Sequence, residues 1–125
     1  MSTSSNALIS IVDDDESVRE AVEGLIESLG FRVSAFSSAA DFLASAAVAD
    51  TSCVIADVHM PQMSGVDLHR RLAEQGHPIP TILITAYPNQ GVRDRALADG
   101  VVCYLIKPFD DDTLIECVRC ALQGA

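Results

Sequence analysis

Leu8-Ile9-Ser10-Ile11-Val12-Asp13-Asp14-Asp15-Glu16 is an apolar run that stops abruptly on a block of acids. Its length suits a strand, and its nearly continuous apolar character is what a strand covered on both faces requires. Immediately downstream Val18, Ala21, Val22, Leu25, Ile26 and Leu29 recur at helical spacing, and Gly30 supplies a C-terminal stop. A strand that runs into acids and then into a helix is one βα unit.

The same alternation continues along the chain. Further strands are expected at Phe31 to Phe36, Cys53 to Ala56, Thr81 to Thr85 and Val101 to Ile106. Phe31 to Phe36 alone carries polar residues at alternate positions and is read as the edge strand. Ala39, Phe42 and Leu43 predict a short second helix, Leu68 with Leu72 a third, and Asn89 to Ala98 a fourth ended by Gly100. The last helix shows an apolar face of Leu114, Ile115, Val118, Ala121 and Leu122 after a capping run Asp110 to Asp112. Five βα units predict a three-layer α/β sandwich around a parallel sheet, and if its order is 2-1-3-4-5 with right-handed crossovers the winding reverses between the first and third strands. The 125 residues are expected to form one domain, its core spanning about residues 7–123.

Charge narrows the function. A net charge of -10 opposes approach to a phosphate backbone, so no direct nucleic-acid binding is expected of this chain. No apolar run approaches a membrane span, and Cys53, Cys103, Cys117 and Cys120 lack the spacing of a disulfide scaffold, which together predict a cytoplasmic protein. Cys117-x-x-Cys120 lies inside a helix rather than at its start, so its plain reading is structural, with Cys120 exposed and Cys117 at the margin of the apolar stripe. His69 and His77 are read as solvated.

In an open parallel sheet the ligand site lies beyond the carboxyl ends of the strands, where the winding reverses. Those ends carry Asp13-Asp14, Asp57, Thr85 and Lys107, the last being the sole lysine. Asp13 to Glu16 alone would more often serve a helix N-terminus. Convergence with Asp57 changes that reading, because clustered carboxylates need a cation, and hard oxygen donors suit Mg²⁺. A carboxylate can then act as a nucleophile toward phosphorus if charge is offset, with Lys107 and the Thr85 hydroxyl able to offset it.

Four stretches, IVDDDE, VIADVHMPQMSG, LITA and LIKPF, resemble in order the signature segments of the receiver domains of two-component response regulators. The wording MPQMSG and IKPF is most similar to the nitrogen-fixation regulator branch. The resemblance implies a flavodoxin-like (βα)5 fold and a phosphoprotein that takes a phosphoryl group onto Asp57 from a sensor histidine kinase or phosphotransfer protein. It implies Mg²⁺ held by Asp13, Asp14, Asp57 and the main-chain carbonyl of His59. Thr85 and Tyr104 are implied as switch residues, Lys107 as the phosphoryl contact, and the Lys107-Pro108 peptide as cis. His59 and Tyr87 match positions that flank the phosphoryl group and are expected to slow its hydrolysis. The implied output is a downstream protein or a lost output domain, with homodimerisation on phosphorylation as a further expectation.

On this reading the chain is no enzyme beyond its own phosphorylation and dephosphorylation. A haloacid-type phosphatase would resemble D-x-D at the nucleophile, where His59 stands instead, and would need room for a cap. A flavodoxin-like cofactor binder would offer amides and hydroxyls in its first loop, where Asp13 to Glu16 would repel a phosphate. The remaining alternative is a phosphorylation-silent docking module.

Overall fold

In a computed structural model, which describes residues 6–123, the acid-terminated run forms β1 (Leu8–Val12), buried at every position. Asp15 caps the helix that follows, α1 (Glu16–Ser28), its carboxylate accepting from the amides of Ser17 and Val18. The chain returns through β2 (Arg32–Phe36), α2 (Ala39–Ala44), β3 (Thr51–Asp57) and α3 (Gly65–Glu74). It ends with β4 (Thr81–Thr85), α4 (Gln90–Ala98), β5 (Cys103–Ile106) and α5 (Asp111–Gln123).

The sheet is parallel with order β2-β1-β3-β4-β5. Alternation along each strand divides the core in two. Ile9, Ile11, Cys53, Ile55, Ile82 and Ile84 face α1 and α5, meeting Val22, Ile26, Leu114 and Val118. Val12, Val54, Ala56 and Leu83 face the other way, toward Phe42, Leu68, Leu72 and Ala96 of α2, α3 and α4. The period of two carries past the strand ends: Asp13 continues Ile9-Ile11, Asp57 continues Cys53-Ile55, and Lys107 continues Cys103-Leu105. These three polar side chains therefore start on the α1/α5 side, whereas Thr85 continues the parity of Leu83 and Tyr104 packs with the opposite cluster.

Some boundaries differ from the sequence reading. β3 runs two residues earlier and one later than its apolar core, because Thr51 and Asp57 still pair within the sheet. β5 begins at Cys103, not Val101: Gly100 turns at φ +102°, and Val101 is instead buried against the α2–α4 side. Although nearly all apolar, β5 is the second edge strand, and Ile106 is 50% exposed. A short 3-10 turn, Ala46–Asp50, links α2 to β3. His69, expected in solvent, is half-buried, and burial lowers its pKa. Cys117 is buried among the α5 contacts rather than marginal, whereas Cys120 is exposed as expected.

Candidate functional site

Winding reverses between β1 and β3, and the crevice beyond their carboxyl ends holds the acids. Asp13 lies one residue past β1 and is fully buried, Asp57 closes β3 at 6% exposure, and Asp14 is open to solvent. One carboxylate oxygen from each lies within 4.8 Å of the others. Lys107, just past β5, reaches between the two buried acids, donating from Nζ to Asp13 Oδ2 at 3.2 Å and to Asp57 Oδ2 at 3.3 Å. Asp13 Oδ1 accepts the Asp15 amide at 2.9 Å, and Asp57 Oδ1 the His59 amide at 3.1 Å.

Burial raises the Asp13 pKa, and the Asp57 charge adds to the rise, against the lowering effect of the Asp15 amide and Lys107. For Lys107 burial acts downward, but the carboxylates of Asp13 and Asp57 outweigh it and hold the ammonium above its ordinary pKa. Three carboxylates against one ammonium leave an excess of negative charge in a partly buried crevice. Such an oxygen donor set fits a divalent hard cation.

The loops that follow β3 and β4 meet each other. After β4, the Thr85 hydroxyl is buried and accepts the Tyr87 amide at 3.0 Å. His59 Nε2 lies 3.3 Å from the Tyr87 carbonyl oxygen, to which it can only donate. The two rings meet edge to face, their centroids 5.5 Å apart and their planes at 83°. Further out, the Tyr104 hydroxyl accepts the amide of Asn89, the N-cap of α4, at 3.1 Å. The Lys107-Pro108 peptide is cis.

The residues singled out in the sequence thus assemble as two groups. Asp13, Asp14 and Asp57 are in mutual reach, Lys107 joins Asp13 and Asp57, and His59 is attached through its amide, while Thr85 and Tyr104 engage the loop leading into α4. Two contributors were not foreseen. Arg19 in α1 donates from Nη1 to the Asp13 main-chain carbonyl at 2.8 Å. Gly65 begins α3 directly beneath the end of β3, where an added Cβ would lie 2.6 Å from the Asp57 carbonyl oxygen. The glycine was visible within MPQMSG, but its contact partner was not.

A parallel five-stranded α/β domain with a carboxylate trio, a bridging lysine and a strand-end threonine at one edge defines a doubly wound protein with an acidic, cation-competent crevice. The sequence model of the response regulator receiver domain matches residues 9–119, and the chain belongs to that family. It is 41% identical over 119 residues to the response regulator protein TmoT of Ectopseudomonas mendocina, covering 95% of this chain and 54% of TmoT. Identity to the transcriptional regulatory protein FixJ of Bradyrhizobium diazoefficiens is 33% over 117 residues, covering 94% of this chain and 57% of FixJ. Among solved structures, FixJ-N superimposes with TM-score 0.85 at 34% identity, covering 96% of each chain. The response regulator StyR gives 0.88 at 34% identity, covering 95% of this chain and 60% of StyR. The nitrogen-fixation branch is thus among the relatives, and the chain spans about half the length of the curated relatives it matches.

Proposed function

We propose that Asp57 is the phosphoacceptor of a two-component pathway and that a histidine kinase or phosphotransfer protein is its donor. The observation that carries this is the placement of Asp57: a carboxylate at a strand end, bound by Lys107 and the His59 amide, beside two further acids. An Asp57 oxygen attacks phosphorus, forming a P–O bond as the P–N bond of a phosphohistidine breaks, and the electron pair leaves with the imidazole nitrogen. Lys107 meets the charge on the transferred oxygens, and the Thr85 hydroxyl donates to one of them once it releases the Tyr87 amide. Asp13, Asp14, Asp57 and the His59 carbonyl would hold Mg²⁺, which when bound supplies charge neutralisation between acceptor and phosphoryl oxygens. The catalysis is confined to the chain's own phosphorylation and dephosphorylation.

An apolar groove of about 480 Å³ lies beside the site, lined by Val18, Ala21 and Leu25 of α1 with Pro108, Phe109 and Leu114, and reaching Lys107. It supports docking of a donor helix on that side. Switching follows the opposite side: departure of Thr85 from Tyr87 and of Tyr104 from Asn89 would remodel the α4–β5–α5 surface, where Ile106 is already exposed. That surface is the proposed contact for a homodimer, a downstream protein or an output domain, within the cytoplasm. The His59–Tyr87 pair shields the acyl phosphate from water. Among the described residues no helix is long and apolar enough to cross a membrane.

Intact-mass spectrometry after incubation with Mg²⁺ and acetyl phosphate tests the proposal. A single labile phosphoryl adduct on the wild type, missing in Asp57→Asn, is expected. An unmodified wild type, folded and with Mg²⁺ present, would replace this reading with a silent docking module.

A further inference from the structure

The geometry points to Arg19 as a positioning residue for the cation site: by holding the Asp13 carbonyl it fixes the aim of the Asp14 carboxylate. This rests on the proposal that the acid trio binds Mg²⁺.

Asp13 is fastened at every polar atom. Its amide donates to the Phe36 carbonyl at 3.1 Å, its Oδ1 accepts the Asp15 amide, its Oδ2 accepts Lys107 Nζ, and its carbonyl accepts Arg19 Nη1 at 2.8 Å. Asp14 differs, since its carboxylate is exposed, and its aim follows from the main chain on either side. The Asp13 carbonyl and the Asp14 amide share one rigid peptide plane, so gripping the carbonyl sets the orientation of that plane and of the Asp14 Cα. On the far side the Asp15 amide is tied to Asp13 Oδ1. The grip is itself well anchored. Arg19 sits in the first turn of α1, where its own amide donates to the Asp15 carbonyl at 3.0 Å, and its side chain is only partly exposed. The guanidinium thus ties the start of α1 to the end of β1.

Charge and position make opposite demands on this residue. A cation beside a divalent-ion site repels the ion, so if charge alone mattered, removing Arg19 would tighten Mg²⁺ binding. If positioning dominates, removal weakens binding, as happens when groups that orient metal ligands are lost. The sign of the change therefore separates the two roles.

The experiment is calorimetric titration of the wild type, Arg19→Met and Arg19→Lys with MgCl₂, alongside thermal unfolding of each in EDTA. Methionine keeps the apolar stem without a donor. We expect Arg19→Met to weaken Mg²⁺ binding by about tenfold, Arg19→Lys to recover most of the loss, and the metal-free unfolding temperatures to stay close together. Equal or tighter binding by Arg19→Met overturns the inference, and so does a loss matched by collapse of the metal-free unfolding temperature. A folded wild type that takes up no Mg²⁺ would instead overturn the cation site itself.

Discussion

Replacing Gly65 with alanine tests whether the end of β3, which carries Asp57, is held by close packing from below. An added Cβ would sit 2.6 Å from the Asp57 carbonyl oxygen, 3.1 Å from its carbon and 3.0 Å from Leu83 Cδ2. Ordinary contact begins at about 3.4 Å, and two of these neighbours are main chain of a central strand buried on both faces. Either β3 shifts, carrying Asp57 with it, or the first turn of α3 lifts from the sheet. Overpacking of this kind costs about 1–3 kcal/mol. A helical alanine regains at most about 1 kcal/mol over glycine, and less at a first-turn position. The net loss is about 1–2 kcal/mol, equivalent to roughly 3–8 °C in unfolding temperature for a domain of this size. Differential scanning calorimetry at neutral pH checks it. An unfolding temperature equal to or above that of the wild type would refute the reasoning, because it would mean that α3 gives way freely and does not brace Asp57.

Gln62 holds φ +72° in the loop before α3, a conformation that suits glycine, so Gln62→Gly should stabilise the protein by about 1 kcal/mol in chemical denaturation. Phosphorylated His59→Gly and Tyr87→Gly should each lose their phosphoryl group about tenfold faster, a barrier change of about 1.4 kcal/mol, followed by intact mass over time; unchanged lifetimes would remove the shielding role. Lys107 has a folded pKa raised above its ordinary 10.5. Its contribution to stability is therefore complete below that value and lost as pH rises through the folded pKa. Metal-free wild type should lose stability over this alkaline window relative to its value at neutral pH, and Lys107→Met should lack that part of the decline. Tyr104→Phe should accelerate hydrogen exchange of the Asn89 amide by about fivefold, reflecting loss of an exposed hydrogen bond worth about 1 kcal/mol.

The central strands were legible because β1, β3 and β4 are buried on both faces, and that demand writes itself into the sequence as unbroken apolar runs. The same signal misplaced the start of β5. Val101 is apolar because it packs beneath α4, so burial and strand pairing part company there. The 3-10 turn at Ala46–Asp50 left no trace, since Ala-Ala-Val-Ala-Asp has neither helical period nor a strong breaker; its anchors are the Ser45 hydroxyl and the Thr51-to-Ala47 hydrogen bond. Asp13, Asp57 and Lys107 could be placed together because strand ends and the parity of two determine where they face. The Arg19 contact could not, because a side chain reaching back to a main-chain carbonyl six residues earlier has no sequence pattern of its own.

The most direct test of the account is chemical trapping of the acceptor. Wild type phosphorylated with acetyl phosphate and Mg²⁺ is reduced with borohydride, which converts an aspartyl phosphate to homoserine, and the peptides are sequenced by mass spectrometry. Homoserine at position 57, and unaltered aspartate at positions 13 and 14, is the predicted result. Homoserine at position 13 or 14 with Asp57 intact would contradict the assignment of Asp57 as the nucleophile.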